Sequence, residues 1–126
     1  MAEFGFTEAQ GMFRAHIRNF TRRELMPTAK ERVRLNRVPG EVIKKLADTG
    51  FLGLRTPEKY GGQMSDLVTG GIACEETARS DIGVPYVILL SSFGAECLAL
   101  CPEEVQAEWM PRLCDGERIV CLSLTE

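Results

Sequence analysis

Residues 84–100 read VPYVILLSSFGAECLAL, and nearly every position is apolar or small, with Ser91, Ser92 and Glu96 as the few polar side chains. A helix that is apolar all round belongs at the centre of a fold, because no face of it prefers water. The unbroken apolar run, Val84 to Leu90, is only seven residues, far short of the ~20 needed to span a bilayer. The stretch therefore predicts a central helix with other elements packed around it, and the flanking sequence supplies them as helices.

Upstream, Thr7-Glu8-Ala9-Gln10 fits a capping box, in which the Thr hydroxyl and the Gln amide satisfy backbone N–H groups that a first turn leaves unpaired. Phe13, Ile17 and Phe20 follow at i, i+4 and i+7, one apolar stripe with Arg14, Arg18 and Arg22 elsewhere around the helix. Pro27 predicts a kink or restart before the helix continues to about Leu35. After Val38-Pro39-Gly40, residues 41–49 form a short helix with Ile43, Leu46 and Ala47 inward, Gly50 as a left-handed stop, and Phe51, Leu52 and Leu54 buried on the way out. RTPEKYGG at 55–62 has Pro, Gly-Gly and no helical period, so it reads as a shaped loop. A helix from about Asp66 to Arg79 turns Leu67, Val68, Ile72 and Ala78 inward, and its Gly70-Gly71 pair would be offset by close approach of a neighbour.

Downstream, Pro102 suits a first helical turn, and Glu103 and Glu104 put negative charge at its positive end. Trp109, Met110 and Leu113 continue that helix, with Pro111 predicting a break and short restart. RIVCLSLT at 118–125 changes character to a strand. A lone strand leaves its backbone donors and acceptors unpaired, so the expectation is a chain that stops where a sheet begins. The expected fold is all-α, a helical bundle over residues 1–116, with 117–126 as the first strand of a further domain.

The 126 residues are 44% apolar and 26% charged, with twelve Gly and six Pro, the mix of a folded domain and not of a disordered or collagen-like chain. MAEFGFTEAQ has neither a basic n-region nor an apolar h-region, so a cytoplasmic location is expected. Net charge is −3, yet residues 1–65 carry +5 and residues 66–126 carry −8. Ten of the fifteen bases lie between Arg14 and Lys45, but Glu24, Glu31 and Glu41 interrupt them and few aromatics are interleaved, which favours a solvated helix face over a nucleic-acid surface. Cys74, Cys97, Cys101, Cys114 and Cys121 are an odd number in apolar stretches and read as reduced thiols; Cys97 and Cys101 share a helix face without a companion His, and no metal site is expected.

Chemistry-bearing groups are scarce. Glu75 and Glu76 are adjacent, so they point about 100° apart on a helix and cannot share a reacting atom; one partly packed and one solvated carboxylate is the expectation. His16 has no nearby nucleophile and reads as a surface or packing residue. No phosphate-binding glycine motif occurs.

In their order, these stretches resemble the N-terminal helical domain of the acyl-CoA dehydrogenases over nearly the whole length. The resemblance is carried by the opening helix through Leu25-Met26-Pro27 and Ala29, and by Val42 to Leu54 followed by PEKYGG at 57–62. It continues in Glu75-Glu76 with Ala78-Arg79 and Asp81, then in PEEVQ at 102–106, WMPRL at 109–113, Gly116-Glu117 and Leu124-Thr125-Glu126. It implies a flavoprotein of three domains, usually tetrameric, with FAD between the middle and C-terminal domains. An acyl-CoA thioester would lie against the flavin with its chain reaching toward these helices. It further implies that a carboxylate takes the α-proton while the β-hydride passes to FAD, and that an electron-transferring flavoprotein reoxidises the cofactor. The base comes from the C-terminal domain in that family, so no residue here is expected to be catalytic, and these 126 residues alone are expected to be inactive. Carried over residue by residue, Leu122, Leu124 and Thr125 correspond to the strand that touches the flavin, and Val84, Pro85, Ile88 and Ser92 to the wall of the acyl pocket; without the family, the latter four are helix-core positions. Two other readings stay open: a non-catalytic interaction module of the same fold, and a family oxidase or oxygenase.

Overall fold

The computed structural model describes residues 5–121 and 123, and among them every regular element is helical. Helix α1 spans Glu8–Phe20. Its capping box forms in full: the Gln10 N–H donates to the Thr7 hydroxyl at 3.2 Å, and the Thr7 N–H to the Gln10 side-chain carbonyl at 3.0 Å. Ile17 is wholly buried, with Phe13 and Phe20 partly so beside it.

Pro27 has the expected effect, spread over two turns. With no N–H to give to the turn before it, the chain widens into a π-helical turn at Thr21–Leu25, where the Met26 N–H reaches back to the Thr21 carbonyl. It then tightens into a 3-10 turn at Met26–Thr28 and resumes as α2, Ala29–Leu35. Helix α3 is Gly40–Asp48, and Gly50 follows at φ 77°, the left-handed stop that the sequence predicts. Phe51, Leu52 and Leu54 are buried beneath α1 and α3.

The 55–62 loop includes a 3-10 turn at Glu58–Tyr60 and folds back so that Ser65 N–H donates to Leu54 O at 2.7 Å and Gln63 N–H to Gly53 O at 2.9 Å. A Cβ on Gly62 would run into the Thr56 carbonyl, so only glycine closes this loop.

Helix α4, Leu67–Ala78, starts at Asp66, whose carboxylate accepts the Thr69 N–H at 2.9 Å. Its inner face differs from the expected one. Leu67, Val68 and Ala78 are exposed, and Ile72, Ala73, Glu76 and Thr77 are buried; Gln10 of α1 already bonds the Asp66 cap at 3.2 Å, so the first-turn leucine and valine lie on the side of α4 turned away from its neighbours. Nor does a neighbour approach Gly70 or Gly71, where a Cβ would meet nothing. The close approach falls at Gly94, which Val120 and Leu113 crowd.

Helix α5, Gly83–Leu98, packs on α4, on α6 and on the Phe51 turn. Helix α6, Glu103–Cys114, runs through Pro111 without the expected break. Met110 and Leu113, both fully buried, hold this helix on the core on either side of the proline. Residues 118–121 belong to no regular element, so no strand occurs among the described residues; Leu122, Leu124 and Thr125, where the flavin-touching strand was expected, lie outside them. No described helix is long and apolar enough to cross a membrane.

Candidate functional site

Helix α5 is central on one side only. Val84, Val87, Ile88, Ser91 and Ala95 face the core, and the Ser91 hydroxyl donates to the Leu52 carbonyl at 2.7 Å. The opposite stripe is apolar yet open to water: Ile82 is 74% exposed, Tyr86 58%, Leu89 52% and Phe93 38%. An uninterrupted apolar row of this kind on a folded domain marks a surface made to be covered.

Between α4 and α5 this stripe borders a groove of about 330 Å³ lined by Cys74, Glu75, Ala78, Ile82, Pro85, Tyr86 and Leu89. Cys74, Glu75 and Ala78 come from α4, and Pro85, Tyr86 and Leu89 from α5. Pro85 is the third residue of α5, where a missing N–H costs no helical bond. Its carbonyl accepts the Cys74 thiol at 3.8 Å, tying the two helices together. Burial pushes the Cys74 thiol above its ordinary pKa, so it stays protonated. All five cysteines are free, and no cluster of metal-ligating side chains occurs among the described residues.

The start of α5 is fixed by Asp81. One carboxylate oxygen accepts the N–H groups of Gly83 at 2.9 Å and Val84 at 3.2 Å. The other takes Nε and Nη2 of Arg32 at 2.8 and 2.6 Å. The position of α4 is fixed by Glu76. Fully buried, it accepts Arg14 Nε at 2.7 Å, Arg18 Nη2 at 2.7 Å and Arg79 Nε at 2.9 Å, while exposed Glu75 takes the other end of Arg14 at 2.9 Å. One packed and one solvated carboxylate is the arrangement expected; of the bases expected on a solvated helix face, Arg18 is half exposed and Arg14 less so, and both turn their guanidinium groups onto Glu76.

Hydrogen bonds from Arg18 and Arg14 hold the Glu76 carboxyl at about 2, against an ordinary 4.5, despite burial. The lowered value means that this group adds stability fully above pH 4.5 and loses it as pH falls toward 2. Unfolding free energy should therefore slope upward with pH between about 2 and 4.5, and a Glu76→Gln variant should show a shallower slope there in urea titrations. Equal slopes in the two proteins would remove Glu76 from the account.

Of the residues expected to wall a pocket, Pro85 lines the groove and Ser92 is half-buried, while Val84 and Ile88 are enclosed in the core behind them. Tyr86 and Leu89 line the groove too; in a helix this apolar, sequence does not distinguish the face that meets the core from the face that does not. His16 is exposed, with its ring 6.0 Å from that of Phe51.

Comparison with known proteins gives the family. The model of the "Acyl-CoA dehydrogenase, N-terminal domain" matches residues 7–117. An acyl-CoA dehydrogenase of Bacillus subtilis is 31% identical over 95% of this chain and 32% of its own length. Among solved structures, butyryl-CoA dehydrogenase from Megasphaera elsdenii superposes with a TM-score of 0.82 at 27% identity, covering 94% of this chain and 32% of that one. A glutaryl-CoA dehydrogenase from Mycobacterium smegmatis, in complex with FADH2, gives 0.79 at 27%, covering 90% and 30%. The chain thus spans about a third of the length of these relatives. By this match over most of its length, the chain belongs to the acyl-CoA dehydrogenase family and forms that family's N-terminal helical domain.

Proposed function

We propose that this domain, residues 1–116 with 117–126 leading into a further domain, works within a longer flavin-dependent acyl-CoA dehydrogenase and walls the tail of the acyl group. The observation that carries the reading is the apolar groove between α4 and α5, continuous with the uncovered stripe of α5. Pro85, Tyr86 and Leu89 stand against the acyl chain and keep water from it. Val84 and Ile88 back them from the core, and Ser92 lies one turn further along the helix. Burial of a hydrocarbon tail against such a wall supplies binding energy at roughly 25 cal/mol per Å² of apolar surface removed from water.

Leu122, Leu124 and Thr125 contact the flavin in this reading, through backbone and hydroxyl. Its support is the family membership together with Val120, packed on Gly94, from which that segment departs. Bound FAD would supply the acceptor for a hydride from the β-carbon, with an electron-transferring flavoprotein taking the electrons onward. The catalytic base is not among these residues. A homotetramer in the cytoplasm completes the reading, the latter in keeping with five free thiols.

The test is the purified polypeptide with the additional domains its relatives carry. It should be yellow, gain thermal stability from added FAD, and bleach anaerobically when an acyl-CoA is supplied. A folded protein that stays colourless and is not stabilised by FAD would overturn the proposal in favour of a non-catalytic module.

A further inference from the structure

Gly94 is buried on α5, and a Cβ placed there would lie 2.9 Å from both Cβ and Cγ2 of Val120 and 3.3 Å from Cδ1 of Leu113. Alanine is the better helix former, so the helix alone would favour it at this position; the glycine answers to the chain that crosses it. The two sides of the contact are unequal. Helix α5 is packed on α4, on α6 and on the Phe51 turn, and has no room to retreat. Val120 is half-buried on a segment that belongs to no regular element. Its Cβ is bonded directly to the main chain, so no rotamer change relieves a clash there, and fully buried Leu113 closes the neighbouring space. A side chain at 94 must therefore move the backbone at 120. Just upstream that backbone is pinned, where the Arg118 N–H donates to the Arg112 carbonyl at 3.2 Å, so the displacement passes onward along the chain.

Resting on the flavin-dependent reading above, we infer that Gly94 is a positioning residue for the cofactor: it seats Val120 against α5 and so sets where the stretch of Leu122, Leu124 and Thr125 meets FAD. The N–H and C=O groups of residues 118–121 are not taken up in a helical ladder, and backbone in that state suits bonding to the polar edge of a cofactor. The helix that carries this seat also carries Pro85, Tyr86 and Leu89 of the groove. One rigid element thus aligns both the wall of the acyl tail and the stretch that touches the flavin.

The experiment titrates FAD into the full-length apoprotein and follows flavin fluorescence, a readout independent of turnover. Gly94→Ala should weaken FAD binding at least about tenfold. Adding Val120→Gly to it removes the opposing Cβ and should recover at least about threefold of that loss, a rescue that simple damage to the helix would not give. Val120→Ala, which asks nothing of α5, should by itself weaken binding about threefold; circular dichroism checks that each protein is folded. Unchanged FAD affinity in either folded single variant, or no recovery in the double variant, would overturn the inference and leave the flavin-dependent reading intact. Failure of the wild-type protein to bind FAD would overturn that reading itself, and the inference with it.

Discussion

Asp81→Ala is expected to lower the unfolding free energy of the domain by about 3–5 kcal/mol. Arg32 and Asp81 are only 2% and 7% exposed at their side chains, so truncating the acid leaves a guanidinium that cannot lose its proton without its counter-charge in the interior. The remaining acceptors, the Thr28 hydroxyl at 2.6 Å and the Leu25 carbonyl at 2.7 Å, are neutral and do not replace it. The same carboxylate satisfies the first two N–H groups of α5, and loss of such a cap alone costs about 1 kcal/mol. Urea unfolding of Asp81→Ala, Arg32→Met and the double variant separates the contributions. The double variant should be less destabilised than Asp81→Ala, because it no longer buries an unpaired charge. A loss below about 1 kcal/mol for Asp81→Ala would show that the pair is not a structural anchor.

Phe51→Ala should cost a comparable amount, about 3–5 kcal/mol. Phe51 is 1% exposed, and three rings meet it edge-on: Phe13 at 6.0 Å, Phe20 at 5.2 Å and His16 at 6.0 Å between centroids. Truncation opens a cavity under α1 at the point where the chain leaves α3, and the turn around it, pinned by Gly50 and by the fold-back of 63–65, cannot collapse to fill it. Phe51→Leu keeps most of the volume and should lose about 1.5 kcal/mol or less. Similar losses for the two substitutions would mean that ring geometry, and not volume, governs this site.

The parts of the fold that sequence reveals are those decided within a few residues. The Thr7–Gln10 box, the Gly50 stop and the Pro27 disturbance each depend on neighbours at most five positions away. Glu76 shows the opposite case. Its partners Arg14 and Arg18 lie 62 and 58 residues before it, and nothing local marks these two, among the bases around them, as the ones that reach it. Leu67 and Val68 mislead in the same way: hydrophobicity says that a residue is able to be buried, and only the position of α4's neighbours decides whether it is. On α5 the difficulty is saturation. Where nearly every side chain is apolar, periodicity carries no signal, so Tyr86 and Leu89 look no different from Val84 and Ile88 until their exposure is known. Pro111 was read by its local rule, yet buried contacts at Met110 and Leu113 outweigh one lost backbone bond.

Three of the groove's residues, Cys74, Ala78 and Pro85, have a consequence in entropy. Ala78 and Pro85 have no rotamer freedom to surrender, and the Cys74 thiol is already engaged by the Pro85 carbonyl. At these three positions a ligand would freeze almost no side-chain motion, whereas Met, Gln or Lys there would surrender up to about 1.5–2 kcal/mol for each side chain immobilised. If the groove holds an acyl tail as proposed, a short apolar group, which offers little surface to be buried, would gain most from residues that have no rotamers to lose.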